Sequence, residues 1–205
     1  MIQEEMRMKL MDSVMQVVAR EGLENTTTMK VAKVFQLGEA NIFRIFGDKN
    51  ELLKQTFVQA DSTLCHAAMM CFPVLRDESF PFEIRMRLFF LRCWKYLMEH
   101  PDLCCFYSRY YHSAQYTKIF SDEDAARCCL LLQAVEAQFR NGKNVRLLFN
   151  HALDMLLGFA MKTISGELAD QETAFNQMIQ LLNDAIGDRM QQALSQDDEV
   201  KQDDR

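Results

Sequence analysis

The sequence predicts an all-α protein, and three observations carry that prediction. Leu, Met and Ala number 54 against 26 Val, Ile and Thr, so unbranched helix formers outnumber β-branched residues about twofold. Gly and Pro are scarce, seven and three, which argues against a sandwich, a barrel or a Gly-rich nucleotide fold. Apolar residues recur at helical rather than alternating spacing. With 49% hydrophobic and 25% charged residues the composition is globular, and 205 residues suffice for one or two units with their own cores.

The elements follow in order. Residues 6–21 read as an amphipathic helix with Leu10, Val14, Val17 and Val18 inward, stopped by Gly22. The threonines 26–28 offer hydroxyl caps to a short second helix with Val31, Ala32 and Phe35 inward. A turn at Gln36-Leu37-Gly38 leads to a third helix from about Glu39 to Ile45, with Ile42, Phe43 and Phe46 apolar and Gly47 as its end. Asp48 and Glu51 have the spacing of a capping box. They open a long helix with Leu52, Leu53, Phe57, Ala60, Leu64, Ala67, Ala68 and Cys71 on one side. That stripe runs out of the small N-terminal unit into a larger one.

Pro73 ends the long helix, and Pro81 and Pro101 suit the first turns of helices at 81–100 and 101–112. Ser121 to Asp124 marks another helix start, running to Asn141-Gly142. Residues 145–166 are apolar almost all round, so that helix must be covered on most sides. Residues 172–194 complete a set of about nine helices. The expected domains are a helix-turn-helix domain at 1–47, a helical domain at 48–194, and an acidic, disordered tail at 195–205.

Composition also narrows the function. The net charge of −6 gives no overall positive field toward nucleic acid, yet residues 1–57 balance eight basic against eight acidic side chains. The first residues lack the apolar core of a signal peptide, and no 18-residue apolar stretch is free of charge, so no membrane partner is expected. Seven cysteines without a secretory signal favour a reduced interior. The expected location is the bacterial cytoplasm, at the nucleoid. Cys104-Cys105 and Cys128-Cys129, with His66 and His112 elsewhere, lack zinc-site spacing, and one member of each pair is expected in the core. No phosphate loop, HExxH or GxSxG occurs, and no carboxylate pair stands out, so neither enzyme activity, nor a metal, nor a cofactor is expected.

Three short helices with a tight turn between the second and third make a helix-turn-helix pattern. Its residues are Arg20-Glu21-Gly22-Leu23, Thr26-Thr27, Val31-Ala32, Leu37, Ile42-Phe43, Phe46 and Asp48-Lys49-Asn50-Glu51-Leu52-Leu53. In this order and spacing, segment 10–53 resembles the N-terminal domain of the TetR family of transcriptional regulators. The long helices behind it resemble that family's effector-binding and dimerisation domain. The chain differs at Phe35-Gln36, where the family has small residues, and at Gly38, Glu39, Ala40 and Phe43, where Ser, Lys or Arg, Gly and Tyr are common. Glu39 stands where a phosphate would pass, and Phe43 lacks a hydroxyl for one.

The resemblance implies that the third helix enters the major groove. With Ile42, Phe43 and Phe46 inward, Asn41 and Arg44 face out, suited to adenine and guanine respectively. Thr27, Thr28 and Lys49 lie at or beside helix N-termini, where phosphate is favoured, and Lys33 adds a basic contact. The expected DNA-contacting set is Thr27, Thr28, Lys33, Gly38, Glu39, Ala40, Asn41, Phe43, Arg44 and Lys49. The aromatic run 104–120 suggests a pocket for an apolar or aromatic small-molecule effector, with Trp94, Phe106, Tyr107, Tyr110, Tyr111 and His112 as its candidate walls. The two late helices imply a homodimer through a four-helix bundle, with Leu153, Leu156, Leu157, Phe159, Ala160, Phe175, Met178, Ile179, Leu182 and Ile186 at the interface. The expected protein is a ligand-responsive regulator, a repressor that binds double-stranded operator DNA as a homodimer. Its effector releases the DNA by changing the spacing of two reading heads. The alternative is a helical, dimeric small-molecule-binding protein that has lost sequence-specific DNA recognition.

Overall fold

The computed structural model describes residues 2–119, 129–138, 145–168 and 170–187, and all regular structure among them is helical. The fold class is therefore all-α. Helix α1 (Ile2–Glu21) carries Glu4 and Glu5 in its first turn and Arg20 in its last, matching the helix dipole at both ends. Leu10, Val14 and Val18 are fully buried. The helix stops at Gly22, whose φ of 86° only glycine adopts at little cost. Helix α2 (Thr28–Val34) is capped by the Thr27 hydroxyl oxygen, which accepts from the Lys30 N–H at 3.3 Å. Gln36, at φ 55°, turns the chain into α3 (Ala40–Phe46), and Gly47 at φ 83° ends it.

Helix α4 (Lys49–Cys71) starts where Asp48 Oδ1 accepts from the Glu51 N–H at 2.9 Å. A 3-10 turn over Phe72–Arg76 contains Pro73 and breaks the α-helical ladder. Helices α5 (Phe82–Glu99) and α6 (Pro101–Tyr111) follow, with Pro101 in the first turn of α6. An unexpected short helix α7 (Ala114–Ile119) comes next. Ser113 restarts the chain there, its hydroxyl oxygen accepting from the Tyr116 N–H at 3.2 Å. Then come α8 (Cys129–Gln138), α9 (Val145–Ile164) and α10 (Gln171–Leu182), the last capped by Asp170 and followed by a π turn over Asn183–Gly187. The expected helix start at 121–124, Cys128 and the tail 195–205 lie outside the described residues. No helix among the described residues is long and apolar enough to cross a membrane.

The chain divides into two compact units. The first joins α1, α2, α3 and the start of α4 to α6 and α7, so the three N-terminal helices do not form a unit by themselves. In it α6 packs on α1. The Arg109 guanidinium donates to the Val18 carbonyl and, at 3.0 Å, to the Ala19 carbonyl. It thus caps the C-terminal turn of α1 with positive charge. Phe57 of α4 stacks on Tyr107 at 5.0 Å and meets Tyr110 and Tyr116 at 5.1 Å each. The Tyr107 hydroxyl donates to Asp61 at 2.7 Å.

Tyr110 is fully buried, and its hydroxyl has no hydrogen-bond partner among the described residues. Burial, with a smaller push from the Glu51 carboxylate, pushes its pKa up to about 12. An unmet buried hydroxyl costs roughly 1–3 kcal/mol. Tyr110→Phe is therefore expected to stabilise the protein by about 1 kcal/mol, seen as a higher urea midpoint at unchanged m-value. A lower midpoint would mean that the hydroxyl is satisfied in solution.

The second unit holds the end of α4, α5, α8, α9 and α10. Trp94 packs on Phe175 at 5.9 Å, and Arg87 lies over the Phe175 ring while donating to Asn176 at 2.7 Å.

Candidate nucleic-acid interface

Helix α3 has only seven residues, so it buries just two side chains, Ile42 and Phe46, at i and i+4 on one face. That anchoring leaves Gly38, Glu39, Ala40, Phe43 and Arg44 exposed and Asn41 half-buried. Phe43 corrects an expectation: it is 51% exposed, not inward. One residue from Ile42 is about 100° around the helix, which carries Phe43 toward the Arg44 side. Phe35, also expected inward, is 39% exposed. Helix α2 ends at Val34, so Phe35 is no longer in its register.

The polar groups of this surface are tied to one another. Arg44 Nη2 donates to Asn41 Oδ1 at 2.8 Å, tying the two candidate base readers together. The same nitrogen lies 3.7 Å from Met6 Sδ. The Thr28 hydroxyl donates to the Glu39 carboxylate. That bond ties the residue before α3 to the first residue of α2. Thr27 and Lys33 are exposed, and Lys49 is half-buried. Lys30 pairs with Glu21 at 2.5 Å and donates to the Asn25 carbonyl at 2.9 Å, so its charge is spent within the unit. The Thr28–Glu39 bond had no signal in the sequence, because it joins residues eleven apart across a turn.

A cavity of about 100 Å³ lies within the second unit. Its walls come from the last turns of α4 (Leu64, Ala67, Ala68), from Phe72 and Leu75, from α5 (Met86, Phe89, Phe90, Cys93), and from α8 and α9. Only the Cys93 thiol and the Tyr96 hydroxyl interrupt an apolar lining, and burial pushes the Tyr96 phenol up. None of Trp94, Phe106, Tyr107, Tyr110, Tyr111 and His112 is among its walls. Phe106, Tyr107 and Tyr110 form the aromatic core of the first unit, and Tyr111 and His112 meet edge to face at 5.0 Å at the end of α6. Trp94 is core of the second unit. Both Cys104 and Cys105 are buried, not one of the two, because α6 is covered around most of its circumference from Leu103 to Ser108. Burial pushes the Cys104 thiol up to about 12. Among the described residues no three His, Cys, Asp or Glu side chains converge as metal ligands.

The residues expected at a dimer surface are mostly covered by their own chain. Leu156, Leu157, Ala160, Phe175, Met178, Ile179 and Leu182 are buried, and Leu153 and Phe159 are half-buried. Leu153, Leu156 and Leu157 line the cavity. The Ile186 side chain lies outside the described residues. The exposed sides of α9 and α10 carry Leu147, Gly158 and Leu181 instead.

No protein-family model and no curated protein matches the chain. Solved structures do. A TetR-family transcription regulator from Marinobacter aquaeolei VT8 superposes with a TM-score of 0.67 at 23% identity, over 88% of this chain and 97% of that one. A tetR family regulator from Shewanella sp. PV-4 gives 0.67 at 14% identity, over 87% and 96%. A regulator of fatty acid degradation from Bacillus halodurans gives 0.61 at 16% identity, over 85% and 96%. The chain has the fold of the TetR-family transcription regulators along nearly its whole length.

Proposed function

We propose that the protein is a TetR-like, ligand-responsive transcriptional regulator, a repressor that binds operator DNA as a homodimer. The observation that carries this is the outer face of α3, where Asn41, Phe43 and Arg44 stand out over the buried Ile42 and Phe46. The joined Asn41–Arg44 pair suits adjacent adenine and guanine edges in the major groove. The exposed Phe43 ring offers an apolar surface to a thymine methyl. Two such helices about 34–36 Å apart would read half-sites one turn apart. The test is selection of bound sequences from random duplex DNA, then footprinting on the best site. Arg44→Ala is expected to weaken specific binding by about 1–3 kcal/mol and to relax one base position. An equal loss on random DNA would make Arg44 a phosphate contact.

Glu39 supports the second reading, a dimeric ligand-binding protein without sequence-specific DNA recognition. Its carboxylate, held by the Thr28 hydroxyl, would repel a phosphate approaching this surface. Glu39→Lys is expected to tighten binding to any duplex and to steepen its salt dependence. If no duplex is selected by the native protein, this second reading stands.

The dimer face we assign to the exposed sides of α9 and α10. Gly158 lies mid-α9, and a Cβ built there meets nothing within 4 Å. Gly158→Arg therefore leaves the single chain intact and is expected to shift the sedimentation coefficient from dimer to monomer. A dimeric Gly158→Arg variant would place the interface elsewhere.

The effector we assign to the apolar cavity. At about 100 Å³ it suits a single ring or a short acyl chain rather than a drug-sized molecule. Among the described residues its walls hold no charged side chain, which favours an uncharged ligand. The likeness to a regulator of fatty acid degradation agrees with an acyl chain. Occupancy that favours one tilt of α4 would change the head spacing, with a coupling of about 1–3 kcal/mol.

A further inference from the structure

One contact on the surface of α3 takes no part in the reading above. Arg44 Nη2 has two acceptors, Asn41 Oδ1 at 2.8 Å and Met6 Sδ at 3.7 Å. Asn41 lies on the same helix, whereas Met6 comes from the second turn of α1, 38 positions earlier in the chain. The next residue holds α1 in place. Arg7 lies over the ring of Phe46, the buried anchor of α3, at 5.5 Å, and donates to Gln55 Oε1 of α4. Gln55 in turn donates to Glu51 at 2.7 Å. A half-buried sulfur thus meets an exposed guanidinium.

We propose that Met6 is a specificity-determining residue of the DNA-reading surface: its sulfur is a weak acceptor that holds Arg44 Nη2 until a guanine takes that nitrogen over. The proposal rests on the regulator reading.

The shape of a guanidinium makes this nitrogen decisive. Its N–H donors form a fixed planar fork. Two of its edges offer a parallel pair of N–H groups, one from Nη1 and Nη2, the other from Nε and Nη2. Guanine accepts such a pair at O6 and N7. Nη2 belongs to both edges and has only two hydrogens. With Asn41 on one and Met6 on the other, neither edge is complete until one acceptor lets go. Which one lets go follows from their chemistry. A thioether sulfur is a weak acceptor, and an amide oxygen has two lone pairs ready for a charged donor. Met6 therefore yields and Asn41 stays. The Asn41–Arg44 pair remains joined while the released edge meets the guanine. A stronger acceptor at position 6 would compete with the base. Affinity thus depends on the acceptor strength of residue 6, and only at the base pair that Arg44 reads.

The test compares the native full-length protein with Met6→Leu, which keeps the volume and removes the acceptor, and Met6→Gln, which supplies an amide oxygen. Binding is measured on the selected operator. It is measured again on the same duplex with adenine replacing guanine at the position that Arg44→Ala relaxes. On the first duplex Met6→Leu is expected to bind about threefold tighter than the native protein and Met6→Gln about tenfold weaker, the scale of one hydrogen bond to a charged group. On the second duplex the three proteins are expected to bind alike. Nuclear magnetic resonance of isotope-labelled methionine methyls gives a separate readout. The Met6 signal, assigned by its absence in Met6→Leu, is expected to move on operator binding toward its position in Arg44→Leu. The same ranking on both duplexes would make Met6 a general influence on stability or charge, and overturns the proposal. So do equal affinities of the three proteins on the first duplex, or a Met6 signal that the operator leaves in place. Failure of the native protein to select any duplex overturns the regulator reading itself, and this inference with it.

Discussion

Phe57→Ala is expected to destabilise the protein by about 3–5 kcal/mol, the range for removing a buried aromatic ring. Phe57 is 4% exposed and touches three tyrosine rings, those of Tyr107, Tyr110 and Tyr116. Each such pair adds about 0.5–1.5 kcal/mol beyond the area it buries. Two of the three partners are themselves fully buried, so the site cannot collapse by sliding an exposed ring inward. The change also removes the ring that backs Tyr107, whose hydroxyl bonds Asp61 at 2.7 Å. A domain of this size has about 5–15 kcal/mol to lose, so the variant should stay folded only marginally. Phe57→Leu keeps most of the volume and should cost less than half as much. Urea unfolding of both variants decides it. A loss under about 1 kcal/mol for Phe57→Ala would mean that the tyrosines close over the gap.

The helix ends were legible because their chemistry is local. Thr27, Asp48, Pro101 and the glycines at 22 and 47 act on backbone within a few residues, and each stands where that chemistry puts it. The two inward residues of α3 were legible for the same reason, through their i, i+4 spacing. Phe35 and Phe43 were misread because apolar character in a seven-residue helix does not say which side is covered. The aromatic run of α6 was legible as buried, but its neighbours were not. Core and cavity wall need the same side chains, and what separates them here is that α6 packs on α1 while the cavity is walled by α5, α8 and α9. The late helices show the same ambiguity. Leu156, Met178 and Leu182 look alike whether a second chain or their own covers them, and their own does. The Thr28–Glu39 bond was invisible, since it joins residues eleven apart across a turn.

Arg109→Leu is expected to cost about 2–3 kcal/mol, the second largest loss and one that volume cannot explain. Leucine retains the apolar stem that lies against α1, so what is removed is the charged fork alone. The guanidinium Nη1 donates to the carbonyls of both Val18 and Ala19 in the last turn of α1, the first of which also accepts from the Gly22 N–H at 2.9 Å. A hydrogen bond to a charged group contributes about 1.5–3 kcal/mol, and a cation at a helix C-terminus about 0.3–1. The site is only half-buried, so these contributions do not add in full. Arg109→Lys restores the charge, but on a compact ammonium at the end of a shorter side chain, and it should recover less than half of the loss. Hydrogen exchange separates this from a general weakening. Loss of protection should centre on the last turn of α1, just before Gly22 turns the chain toward α2. If protection falls evenly over α1, α4 and α6 instead, Arg109 acts through packing and the capping role is refuted. If it falls where the cap predicts, the rigidity of the N-terminal helices rests on a residue 90 positions downstream, in a helix that the sequence alone places in the other domain.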